Sequence, residues 1–356
     1  MWSTVGARRF ELRTSRTRTV RASRTALRPE LRLRVSGFFS SGRDYTQFIS
    51  VSQGLAVSLA FAHNACMTAL SLALLVLAAV LHALSNALIK LSRDKLAFTW
   101  WMLTASTIIG LPLIFFVGQP QPIGWLIVIV SGLIEAVYFV TLTRAYSLGD
   151  LSQVYPVARG SAPLFVLLWA LLFLGERPTP IGAGGIFLVV VGLYLVNLPS
   201  IADWTRPLQG FKSPAARWAL LTGLLISIYS TIDKVGVRYI DPLPYLYVFL
   251  VVAWLALSLQ WLDPERRSAL RTELQPDLKH SVLRVIAVAL LGSSAYALVL
   301  VALQLSPVSY VSPIRELSVV IGAWIGVRFM GEPGGRLRIA AAGLVALGII
   351  VIALGG

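Results

Sequence analysis

An all-helical integral membrane protein, with ten transmembrane helices arranged as two inverted five-helix repeats, is the fold class that three features of this sequence predict. Apolar residues make up 56% of the 356-residue chain and charged residues 13%, with a mean hydropathy of +0.76, well outside the range of soluble globular domains. From Met67 onward, apolar runs of about 20 residues, the length that crosses a hydrocarbon core of about 30 Å, follow one another almost without pause. The chain also repeats itself. VYPVARGSAPLFVLLWALLFLGE at 154–176 and YVSPIRELSVVIGAWIGVRFMGE at 310–332 each place an arginine just after a proline and 17 residues before a glutamate.

The spans read from the sequence are 68–90, 97–117, 123–147, 152–174, 179–198, 217–238, 243–262, 282–304, 308–330 and 336–354. Proline, glycine and charge mark nearly every break between them: SRDK, GQPQP, LGD, GERPTP, IDPLP, LSP, GEPGGR and the long DPERRSALRTELQPDLKH. Backbone groups in lipid must be satisfied internally, so the spans are helices rather than strands. HALSNALIK, ending at Lys90, matches ISIYSTIDK, ending at Lys234, and RAYSLGDLSQVYP matches VALQLSPVSYVSP. Five helices per copy is an odd number, so the second copy enters the membrane from the opposite face, giving a pseudo-two-fold axis in the membrane plane. The expected organisation is an extension at 1–66, a first repeat at 67–198, a linker at 199–216 and a second repeat at 217–356.

The formal charge of +15 resembles a nucleic-acid signal until it is divided along the chain. Residues 1–66 hold eleven Arg, no Lys and three acids, so more than half of the excess sits in this short segment. It has neither helical nor strand periodicity, and disorder is the expectation. A basic arm for RNA or lipid and an Arg-rich targeting peptide are two readings. The third, preferred here, is that translation starts at Met67, where the membrane pattern begins. No nucleic-acid partner is expected. The only cysteine, Cys66, lies outside the apolar body, and His63, His82 and His280 are too scattered for a metal cluster. No phosphate-binding glycine loop or hydrolase triad pattern is present, so neither a cofactor nor an enzymatic activity is expected.

HALSNALIKLSRDKLAF, GDLSQVYPVARGSAP, FLGERPTPIG, and SYVSPIRELSVVIG with FMGE resemble the two EamA domains of the drug/metabolite transporter superfamily, over about 67–354. The resemblance implies a ten-helix transporter whose third, fourth, eighth and ninth helices line a central cavity, with the first and sixth contributing. Residues 1–66 have no counterpart in that pattern.

Charges inside the spans need a reason, because an ionised group at the centre of a spanning helix costs about 2.5–3.5 kcal/mol on insertion scales. Glu135 lies 12 residues into its span, about 18 Å deep at about 1.5 Å per residue, with Tyr138 one turn on. It reads equally as a protonatable carboxylate for proton coupling or a substrate ammonium group, and as a structural partner for a buried arginine. Arg159 shares a helix face with Tyr155, and Arg315 has Ser312 one turn before it. If the copies are inverted, the two guanidinium groups bracket a central volume suited to an anionic or zwitterionic solute. The alternative is a structural ion pair or snorkelling, with Glu316 and Glu135 as the candidate partners.

Pro156 and Pro313 are candidate hinges, or simply first-turn prolines. Glu176 and Glu332, beside turn residues, are expected to be structural. Asp233 with Tyr229 one turn before it, and Tyr296 in the eighth span, complete the cavity candidates. Lys90 and Lys234 end their spans and are expected to snorkel to the interface. The small-residue runs GAGGIF and AAAGLVALG suit close helix packing, as scaffold or as a homodimer surface.

The expected function is secondary active transport of a small polar metabolite across a bacterial-style inner membrane by alternating access, with a coupling proton or exchanged solute. Export of drug-like or lipid-linked substrates and a non-transporting scaffold are the alternatives. Orientation is contested. Loops after odd-numbered spans carry fifteen Lys or Arg and those after even-numbered spans three, which places both termini outside. The resemblance favours both termini inside and is followed here, because five of the fifteen lie in one long charged loop whose acids nearly cancel it and which is expected to fold separately.

Overall fold

A computed structural model describes residues 67–356 apart from 119, 149–150, 197, 199, 206–212, 275–277 and 330–334. The extension at 1–66 and Glu332 therefore lie outside the described residues. Those described fall within one compact unit, His63–Gly356, and are helical, with no strand among them.

Capping and proline placement set most helix starts. Helix α1 (Ala69–Lys90) begins where the Thr68 hydroxyl accepts the Ser71 N–H at 3.1 Å, and α2 (Lys95–Ile109) where Asp94 accepts the Leu96 and Ala97 N–H groups. Pro112, which has no N–H for the carbonyl four residues earlier, follows Gly110, and the chain continues as a 3₁₀ turn, Leu111–Phe116. Helices α3 (Pro122–Leu148), α5 (Pro180–Leu195), α6 (Pro214–Gly236) and α7 (Pro242–Ser258) each start on a proline, where the missing N–H is harmless. Helix α4 (Leu151–Trp169) ends in a π turn at Ala170–Leu174 and then at Gly175, whose φ of 66° suits glycine. The remaining helices are α8 (Pro264–Leu274), α9 (Leu278–Leu305), α10 (Val308–Arg315), α11 (Leu317–Phe329) and α12 (Arg336–Gly355).

Among the described residues, seven helices are long and apolar enough to cross a membrane. The segments that fall short of the sequence expectation do so for local reasons. The second predicted span is divided at Gly110, the fifth is a helix of only 16 residues, and the ninth is interrupted at Glu316. Pro313 lies inside α10 rather than in its first turn, and cannot donate to the carbonyl of Ser309. The helix breaks three residues later.

Packing pairs the two copies with each other more than with themselves. Helix α1 lies on α9 and α11, while α6 lies on α3 and α4; α2 packs on α9 and α7 on α3; α5 packs along α12. Each of the first three contacts has its mate with the copies exchanged. In the α5–α12 seam a Cβ on Gly185 would come within 2.8 Å of the Gly348 carbonyl, and one on Gly348 within 2.7 Å of the Gly185 carbonyl. The small residues of both fifth helices are thus used to join the copies within one chain.

Candidate functional site

Where the copies meet they enclose a cavity of about 350 Å³, lined from the first copy by Glu135, Tyr138 and Arg159 and from the second by Tyr229, Tyr296 and Arg315. It reaches exposed Lys90 and Lys95, at the end where α1 finishes and α2 begins. One wall is aromatic: Tyr138 meets Tyr229 edge-on at 5.9 Å, and Tyr296 meets Tyr229 at 6.4 Å and stacks on Phe249 at 5.4 Å.

The two arginines have different partners. Arg159, with a side chain 12% exposed, places Nη1 3.5 Å from Oε1 of Glu316, itself 2% exposed, and Nη2 3.5 Å from Nε2 of His82. Arg315 donates from Nη1 to the Ser230 hydroxyl at 3.2 Å and lies 5.4 Å from the ring centre of Tyr296. Among the described residues it has no carboxylate within ion-pairing distance. Glu135 has the complementary imbalance. Its Oε2 is shielded from solvent and finds no hydrogen-bond partner among the described residues, as is also true of Oε2 of Glu316.

Asp233 lies outside the cavity lining and is fully buried. Its Oδ1 accepts from the Ser131 hydroxyl at 2.5 Å and from the Tyr245 hydroxyl at 2.6 Å, and its Oδ2 accepts from the Tyr296 hydroxyl. Its neighbour Lys234 does not snorkel. At 3% exposure its Nζ donates to the carbonyls of Leu303 at 2.6 Å and Ser306 at 2.9 Å, closing the C-terminal end of α9 as a cation should. Lys90, by contrast, is exposed at the mouth of the cavity.

Glu176 is engaged elsewhere. Its Oε1 accepts the N–H of Val308 at 2.9 Å, and its Oε2 accepts the N–H and hydroxyl of Ser309 at 3.0 and 2.6 Å. A glutamate from the first copy thus caps α10 of the second, where the N-terminal N–H groups and the helix dipole favour a negative charge. Ser312 and Glu316 are buried outside the lining. Tyr155 and Pro156 lie within α4, but their side chains are outside the described residues.

Four polar neighbours escaped sequence reasoning: His82, Ser131, Ser230 and Tyr245. Ser131 had a readable signal, one turn before Glu135 on the same face of α3. His82, Ser230 and Tyr245 had none, because only tertiary packing brings them to their partners.

Comparison with known proteins agrees with this architecture. No curated protein matches the chain. A solved structure titled only "Crystal structure of protein" superposes with a TM-score of 0.59 at 16% identity, covering 81% of this chain and 96% of the other, a likeness of fold alone. The family model for the EamA-like transporter family matches twice, over residues 69–198 and 213–354. With two matched repeats that meet at a shared cavity, the chain belongs to the EamA-like transporter family, a family of multi-pass membrane transporters.

Proposed function

We propose that the protein is a ten-crossing, inverted-repeat secondary transporter that moves a small anionic or zwitterionic metabolite through the shared cavity by alternating access. The observation that carries this reading is Arg315, held in the cavity by a hydroxyl and an aromatic face but by no carboxylate among the described residues. A guanidinium withdrawn from bulk water favours an anionic partner, and its planar fork suits carboxylate or phosphate. Glu135, with an unpartnered oxygen in the same cavity, offers a place for a substrate ammonium group or a coupling proton. The exchanged helix pairings across the copies support the inverted arrangement, and the repeats rocking against each other would open the cavity to either side in turn.

The membrane is the cell's inner membrane in this reading, and its orientation follows from the charged loop. Helix α8 does not stand apart: Glu273 accepts the N–H groups of Arg93 and Asp94, Arg284 bridges Glu273 and the Leu91 carbonyl, and Trp101 donates to the Leu270 carbonyl. That loop therefore does not fold separately, which removes one of the two grounds for setting aside its five basic residues, and the positive-inside rule, in which acids contribute little, weakens the other. Counted with the others, they favour the Lys90–Lys95 end as cytoplasmic and the C-terminus as external. Strong activity of a C-terminal phosphatase reporter is expected, and a bright cytoplasmic fluorescent reporter at that position would reverse the assignment.

The transport test is counterflow. Proteoliposomes preloaded with a panel of carboxylates, phosphorylated metabolites and amino acids should accumulate at least one radiolabelled member of the panel. Counterflow of hydrophobic cations alone would favour a drug-like substrate instead. No counterflow with any solute, from protein shown to be folded, would remove the transport reading.

A further inference from the structure

We propose that Asp233 is a proton-carrying site separate from the substrate cavity, with Tyr296 as the hydroxyl that connects the two. This rests on the transport reading and supplies its coupling ion. An ionised carboxylate only accepts hydrogen bonds, and a protonated one must donate. Asp233 accepts three hydroxyl bonds, from Ser131 on α3, Tyr245 on α7 and Tyr296 on α9. When it binds a proton, at least one of those hydroxyls must turn away or become an acceptor.

Tyr296 is the one with somewhere to go. Its ring lines the cavity and lies against Arg315, whereas Ser131 and Tyr245 lie outside the lining. In the forward step the Tyr296 hydroxyl passes its proton to Oδ2 of Asp233 as its oxygen takes a proton from a hydronium ion in the cavity, which is left as water. The phenol ends neutral, the carboxylate becomes a carboxyl, and one proton has left the cavity. The hydrogen bond between Tyr296, whose ring lies against Arg315, and Asp233 is then remade in the opposite direction, so loading the proton alters the face that the cavity presents to an anion.

The surrounding charges are distributed to leave Asp233 as a lone acid. On its own helix Lys234 is engaged with the α9 carbonyls and Tyr229 faces the aromatic wall. From α4, Arg159 is turned to Glu316 and His82, and from α10, Arg315 is turned to Ser230. Glu135, on α3, lines the cavity itself. The repeat offers no second copy of the site, since Ile89 stands in the first copy where Asp233 stands in the second.

The test needs no substrate. Infrared difference spectra of the full chain in liposomes, recorded on acidification, should show the carbonyl stretch of a newly protonated carboxyl together with a perturbed tyrosine ring mode. The carboxyl band should persist in Glu135→Gln and vanish in Asp233→Asn. In Tyr296→Phe the ring mode should weaken and the carboxyl band should rise more slowly after acidification, because the relay from the cavity is gone. If Asp233→Asn fails to fold, Ser131→Ala and Tyr245→Phe serve instead, because each removes one donor and should move the band's midpoint by about half a pH unit or more. A band that survives Asp233→Asn, or midpoints that do not move in either donor variant, would overturn the proposal. Counterflow by the same preparation shows separately whether transport itself stands.

Discussion

Arg159 and Arg315 each stand 17 residues before the repeated glutamate and have different surroundings. The first is paired across the copies to Glu316 and reaches His82; the second meets a hydroxyl and an aromatic face. One register step accounts for much of this. Counted from the two prolines, the third residue is Arg159 in the first copy and Glu316 in the second, so equivalent positions near the pseudo-two-fold face each other as cation and anion. Arg315 arrives one residue early, at the point where the helix breaks, and is left without that partner. Duplicated segments thus diverge: one arginine joins the halves, and the other, without a carboxylate among the described residues, is the one proposed above to meet the substrate.

The largest expected effect separates those duties. Arg315→Ala should lower initial uptake per folded molecule by tenfold or more while thermal stability, read by size-exclusion after heating, stays near wild type. Equal loss of yield and flux would make Arg315 structural as well. Arg159→Ala should do the reverse and destabilise the protein by about 3 kcal/mol, since removing one partner leaves a buried charge uncompensated. Replacing both members, as Arg159→Met with Glu316→Leu, should recover most of that stability. Continued instability in the double variant would show that Arg159 acts through His82 instead.

A smaller effect is expected at Glu176→Gln, about 1–2 kcal/mol of stability, because the amide keeps one acceptor for the α10 N–H groups but loses the charge. Flux per folded molecule should change less than twofold. The smallest is Arg315→Lys, which should retain part of the uptake rate, a point charge replacing a bidentate fork. Full activity in Arg315→Lys would mean that the site reads charge without planarity.

Much of the fold was legible because membrane helices announce themselves by length and apolarity, and the repeat because the segments ending at Lys90 and Lys234 match and the two arginines each stand 17 residues before a glutamate. The breaks were less legible. Pro313 signalled an interruption without saying that Glu316, rather than the proline, would mark it. The site was readable as a set of charges in apolar runs, but not as pairs. No sequence spacing shows that Glu176 would reach Val308 and Ser309, or that Lys234 would bury its ammonium on the end of α9. Those contacts cross between the copies or between distant helices and exist only once the chain has folded.

The cap that Glu176 places on α10 also sets a tempo. With the bond from the Thr179 N–H to the Tyr310 hydroxyl at 2.9 Å, it ties the α4–α5 turn to the start of α10 through a cluster of hydrogen bonds that must part together if the halves separate there. At about 1–1.5 kcal/mol each, four such bonds resist by about 4–6 kcal/mol. With about 1.4 kcal/mol per factor of ten, that corresponds to one spontaneous opening among roughly a thousand to ten thousand molecules. In the alternating-access cycle proposed above, an empty carrier would thus leak little, and a passenger that helps release the clasp would largely determine how often it swings.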